Sequence, residues 1–343
     1  MKFKRCPRIY LIFFTCLSVA SCKSEKEVDL SNIKVNLSIE RFDKELFALT
    51  PSQVSVKAPQ LKQKYGHFYG DYMESILGVG PVTDTAYYQQ LRAVLSNPDY
   101  KELASEVSRT FPDLQDQQDE LTDAFKHILY YYPETKLPRL ISFFSGFSVQ
   151  TPVGNDYIGI GLDMFLGRQS KFYPALVQSI PQYISRRFTR ENITPRVVEG
   201  FIREDMFPDN DSDRSLLSKM IYNGKILYMM DAVMPNIADS LKVGYTSGQM
   251  DWAQTYEPEI WAYFLQNNLL YETDYIKFQK YLTDAPFTPG MGDDSRSAPK
   301  LGVYTGWQIV KKYMERSPDV SLQDLMKETD PQKILNASKY KPR

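Results

Sequence analysis

Zinc hydrolases advertise themselves by ligands at fixed spacing, and one stretch of this chain stands where such a set belongs. Ser179–Phe188 (SIPQYISRRF) follows an apolar run ending in an acid, Tyr157–Gly167 (YIGIGLDMFLG), and precedes Val197–Asp205 (VVEGFIRED). An HExxH helix carries two histidines four residues apart, a glutamate base beside the first, and often a further glutamate ligand downstream. Laid on that template, Pro181 takes the first histidine position, Gln182 the base and Ser185 the second histidine. Glu199 takes the place of the third ligand. Proline offers no ligand atom and glutamine no carboxylate to accept a proton. The chain has two histidines, His67 and His127, both far from this stretch in sequence. His127, among apolar neighbours in AFKHILYYY, reads as hydrogen-bonded and partly buried. His67, in KYGHFYG, suits a surface equally well. The reading is a degenerate metal motif, with no metal, no cofactor and no catalytic residue expected.

Carboxylates are the remaining candidates for chemistry. Glu204, Asp205, Asp251, Glu257 and Glu259 crowd two regions of the chain. A glycosidase needs two carboxylates roughly 5–9.5 Å apart across a groove. That requirement leaves an alternative open: an envelope hydrolase acting on glycan, peptidoglycan or peptide through a carboxylate-based, non-zinc mechanism. No GxSxG and no phosphate loop occurs, and Gly159-Ile-Gly161 lies in a strand pattern without the third glycine of a dinucleotide fingerprint.

The N-terminus predicts where the protein works. Lys2, Lys4, Arg5 and Arg8 precede an apolar run from Ile9 to Ala20, shorter than the roughly 20 apolar residues that span a bilayer. The run ends in Val19-Ala20-Ser21-Cys22, which reads as a bacterial lipobox. On this reading residues 1–21 are a signal peptide, Cys22 is acylated (palmitate included), and residues 22–31 form a lipidated tether. Cys6 and Cys16 leave with the signal, so one mature chain can build neither a disulfide nor a cysteine zinc site. The signal takes four positive charges and no acid from a net charge of −1, leaving −5. A mildly acidic body argues against nucleic acid as a partner.

The elements that must position these residues are mostly helical. Ile33, Val35, Leu37 and Ile39 alternate with polar residues and predict a half-buried strand. Residues 52–132 read as helices, with Leu121, Phe125, Ile128, Leu129 and Tyr132 forming one apolar stripe. Leu140–Phe147 and Asp156–Leu162 read as strands, and the turn residues Thr151–Asn155 between them predict an antiparallel pair. Thr194-Pro195 reads as a capped helix start. Leu216–Met234, apolar nearly all round, predicts a buried central helix, and residues 284–300 a long loop of the functional or mobile kind. With 24 Tyr and 19 Phe largely at helical spacing, the aromatics predict core. The fold class is α+β, predominantly helical with a small mixed sheet.

Several segments in this order resemble the gliding motility lipoprotein GldB family. They are the lipobox, Ile39–Phe47 (IERFDKELF), Tyr157–Gly167, Lys219–Pro235 (KMIYNGKILYMMDAVMP), Glu257–Asp274 (EPEIWAYFLQNNLLYETD), Gly302–Met314 (GVYTGWQIVKKYM) and Ile334–Pro342 (ILNASKYKP). The family is in turn similar to predicted zinc proteases that retain HExxH. The resemblance implies a single zincin-like domain over residues 32–343 and a role in gliding machinery tied to secretion. It implies a lipid-anchored protein of the cell envelope, on the outer or inner membrane, with its body in the periplasm or at the surface. Read with the missing ligands, it implies a non-catalytic protein, a pseudoenzyme whose partners are the membrane through Cys22 and envelope proteins of the gliding and secretion machinery.

Overall fold

The computed structural model describes residues 28–210, 212–292 and 297–343. The signal segment, Cys22 and the first part of the tether lie outside the described residues. Three short strands form the only sheet among them: β1 (Ile39–Arg41), β2 (Arg139–Phe143) and β3 (Tyr157–Gly161), in that order across the sheet. Both pairings are parallel, with Ile39 opposite Leu140 and Ile141 opposite Gly159. The antiparallel pairing expected of 140–147 with 156–162 is therefore corrected. The turn at Thr151–Asn155 does reverse the chain, but its incoming arm is Gln150–Gly154. Gly159 and Gly161 donate their amides to the Pro152 and Gln150 carbonyls, each at 2.8 Å, and Val153 bridges Ile158 antiparallel. Gly161 permits this close return, since a Cβ there would lie 2.4 Å from the Val149 carbonyl.

The predicted first strand shrinks for a related reason. Residues 33–38 keep the alternating exposure of an extended segment, but the neighbouring strand begins to pair only at Ile39.

Every β3 residue is buried, and the two faces of the sheet feed different cores. A parallel sheet covered on both sides reads as a continuous apolar run, as Tyr157–Gly161 does. On one face, Ile141, Phe143 and Tyr157 join α1 (Phe42–Phe47), α2 (Val54–Asp71) and α3 (Tyr87–Ser96). Phe42 is fully buried there and meets Tyr65, Phe68 and Tyr72 edge-on at 4.9–5.1 Å, the geometry that aromatic quadrupoles prefer. On the other face, Leu140, Ile158 and Ile160 join α4 (Pro98–Thr110), α5 (Gln115–Tyr131) and most of the helices that follow β3. His127 of α5 is buried and hydrogen-bonded to the Asp123 carbonyl at 3.0 Å, as its neighbours predict.

The later helices are α6 (Gln182–Ser185), α7 (Ile193–Gly200), α8 (Leu216–Val233), α9 (Asp239–Val243), α10 (Ser247–Thr255) and α11 (Glu257–Gln266). They continue with α12 (Tyr275–Phe278), α13 (Leu301–Arg316), α14 (Leu322–Lys327) and α15 (Pro331–Ser338). Helix α8 is the central one that its composition predicts, capped by the Ser215 hydroxyl, which accepts from the Ser218 amide. Thr194 is not a cap: it lies inside α7, and its hydroxyl donates to Glu120 at 2.5 Å.

Helices α8 and α13 touch backbone to backbone. A Cβ on Gly306 would lie 1.9 Å from the Met220 carbonyl oxygen, and one on Gly224 would lie 2.3 Å from that of Gly306. Backbone cannot move aside as a flexible side chain can. Gly306→Ala should therefore cost at least the roughly 1–3 kcal/mol of an overpacked core. Gly248→Ala, exposed in α10 with open space around it, should be neutral or slightly stabilising. Urea midpoints of the two variants test this, and equal midpoints would refute the close crossing.

Candidate functional site

The template positions come apart in the structure. Helix α6 is a single turn, begun by Pro181 with Gln182 exposed and Ser185 buried. None of those three faces the cavity into which Glu199 projects, so of the degenerate set only Glu199 reaches a site. The cavity holds about 420 Å³, and Gln150 ahead of β3 and Lys242 and Val243 of α9 contribute to its wall. Arg187 comes from just after α6, and Arg196 and Glu199 from α7. Asn223 and Leu227 belong to α8, while Asp284, Lys300 and Val303 come from the long loop and the α13 start that ends it.

Glu199 is clamped from both sides along its own helix. Arg196, three residues earlier, ion-pairs with Oε2, and Arg203, four residues later, donates Nε to Oε1 at 2.8 Å. Such spacing places all three side chains on one helix face, and the chain continues past α7 as a π-type turn, Phe201–Met206, that carries Arg203. Arg196 also donates to the Leu241 and Lys242 carbonyls, fastening α7 to the end of α9. Arg203 donates to Asn223 of α8 at 2.9 Å and lies over the Tyr222 ring. Burial pushes the Glu199 carboxyl up, but Arg196, Arg203 and Lys300 outweigh it and hold it down at about 2.

A second carboxylate pins the two ends of the long loop. Asp284 accepts from Arg187 at 2.6 Å and pairs with Lys300 at 3.0 Å. Burial opposes its charge, yet Lys300 and Arg187 prevail and keep Asp284 well below the usual carboxylate range. Lys300 itself is pushed down to about 8 by burial, with Asp284 opposing and the like charges of Arg187 and Arg196 adding to the drop.

Other sequence candidates stand apart from this cavity. Asp163, the acid that ends YIGIGLD, is fully buried and accepts from the Ser145 and Phe147 amides at 3.1 and 2.6 Å. It fixes a turn in which Gly146 and Phe147 both take positive φ, and burial raises its carboxyl to about 6 despite those amide bonds. His67 is exposed on α2 beside Asp156 at 3.3 Å. Glu204, Asp205, Asp251 and Glu259 are exposed, while Glu257 accepts from the Tyr304 and Tyr340 hydroxyls. Among the described residues no group of three or more His, Cys, Asp or Glu could hold a metal ion. A scan for metal ligands passes over Arg187, Arg196, Arg203 and Lys300. The signal for two of them was the i−3 and i+4 placement of arginines about Glu199.

A carboxyl held below its unfolded value stabilises the fold at pH above the unfolded pKa and loses that contribution as pH falls through the folded one. For Glu199 the window runs from about 4.5 down to about 2, a contribution on the order of 3 kcal/mol. Glu199→Gln should lose stability at pH 7, because Arg196 and Arg203 keep their charge without a carboxylate. Its deficit against the wild type should narrow below about pH 4.5, as read by denaturant unfolding across that range. A deficit constant with pH would mean that the ion pairs contribute nothing.

The family model for gliding motility protein GldB matches residues 23–342. No curated protein and no solved structure matches the chain. No helix among the described residues is long and apolar enough to cross a membrane. The chain belongs to the gliding motility protein GldB family, and with it is a gliding-related, lipoprotein-type protein of the cell envelope.

Proposed function

We propose that this protein is a non-catalytic component of the gliding machinery, anchored by lipid on Cys22 and acting through envelope proteins of the gliding and secretion apparatus. Its body is a single zincin-like unit from which metal chemistry has been lost. The observation that carries the reading is the state of Glu199, clamped between Arg196 and Arg203. A carboxylate neutralised by two guanidiniums, at the position of a third zinc ligand, has no need of a metal. Two cations beside it repel one by Coulomb's law.

The carboxylate-hydrolase alternative has less to stand on. A general acid must hold a proton near working pH, and Glu199 is held at about 2. The exposed acids are solvated, and Glu257 is committed to two tyrosine hydroxyls.

Purified full-length protein in detergent should contain far less than one zinc per chain and cleave no peptide library. Stoichiometric zinc that tracks with cleavage across preparations would overturn the reading. Cys22→Ala should shift the protein out of the membrane fraction and abolish the crosslinked envelope partners that the wild type retains. Unchanged fractionation would defeat the anchor.

A further inference from the structure

We propose that the cavity between α7, α8 and the start of α13 is a binding site for a small dianionic ligand bearing phosphate or carboxylate oxygens. Five cations line it: Lys242 is paired with Asp231 and Asp239 outside the cavity, and the other four, Arg187, Arg196, Arg203 and Lys300, meet two carboxylates, Glu199 and Asp284. The cluster therefore carries two uncompensated positive charges within a partly enclosed space. Desolvating surplus charge without a partner is costly, and structures keep such an arrangement where a counter-charge enters. Side-chain exposures of 18, 14, 25 and 13 % for the four cations show how far water has been removed.

The donors exceed what the protein accepts. Arg196 Nε is buried with no hydrogen-bond partner among the described residues, although each of its terminal nitrogens is used. An orphaned donor in a native interior calls for an explanation, and here it shows that the chain's own acceptors do not exhaust the cluster. The volume, about 420 Å³, falls in the range of small-molecule sites. Arginine forks with an ammonium beside them suit planar carboxylate and tetrahedral phosphate alike. Glu199 and Asp284 have a role in this scheme: they orient the cations and leave a net field for the ligand.

The groups facing Lys300 are Asp284 of the loop, Arg187 from beyond α6, and Arg196 and Glu199 of α7. A dianion among them favours the protonated lysine. Affinity should thus fall as pH rises through about 8.

This inference is independent of the partner reading, since anion binding and envelope crosslinking are read out separately. The test titrates full-length protein in detergent with inorganic phosphate and with succinate, against sodium chloride at matched ionic strength, by calorimetry and thermal unfolding. Saturable binding of either dianion above the chloride control is expected, and which one binds identifies the oxyanion class. Arg187→Gln and Lys300→Gln should each weaken it roughly tenfold or more, and Lys300→Gln should flatten the pH dependence. Lys312→Gln, on an exposed pair with Glu315, should bind as wild type. Melting of each variant without ligand verifies folding. No saturable binding beyond chloride, or equal affinity in folded Arg187 and Lys300 variants, would overturn the proposal.

Discussion

The crossing of α8 and α13 through Gly224 and Gly306 is the constraint on which the rest of this structure leans. Two helices can approach to backbone contact only where neither presents a Cβ, and here both lack one at the crossing. The approach sets the cavity as well as the core. Asn223, next to Gly224, lines the cavity together with Val303 and Lys300, three and six residues before Gly306. Helix α7 then completes the space, held to α9 by Arg196 and to α8 by Arg203. The polar site is therefore built beside a close backbone crossing of two helices.

Such a site has to reconcile burial with charge. Isolated charges of this number would be expelled from a protein interior or would shed their protons. Arginine sheds none at physiological pH, so the carboxylates must answer. Glu199 and Asp284 do so, each held ionised against the pull of burial by two or more cations. Lysine yields where arginine does not, and Lys300 sits lower than an ordinary lysine. The network closes the loop at 284–300 through its two ends and ties the chain after α6 to the same point. Ionic contacts thus serve as fasteners between parts of the chain remote in sequence.

Much of this was legible from residue order, and the losses have physical reasons. Helix α8, the stripe on α5 and the aromatic core follow from periodicity and composition, because burying an apolar face is a local demand on sequence. Strand direction does not: β2 and β3 pair in parallel because Gln150–Gly154 takes the antiparallel place beside β3, a choice made by two glycines that a strand pattern only records as weak points. Thr194 has the signature of a cap, yet Glu120, distant in sequence, claims its hydroxyl. At the site, a template built on metal ligands finds Glu199 and misses the cations. Their partners come from four separate segments, and only the Arg196–Glu199–Arg203 spacing is written in one stretch.

That spacing gives Glu199 a role of its own. A metal-ligating carboxylate and an arginine-clamped one answer the same electrostatic need, a concentrated positive charge beside a buried anion. Guanidiniums meet it with directed hydrogen bonds and without a dedicated coordination sphere. Glu199 is therefore under a structural demand of its own, for removing it would strand Arg196 and Arg203. The positive charge beside Glu199 is supplied by the protein itself, and with Arg187 and Lys300 set about Asp284 each of the two carboxylates answers to two cations.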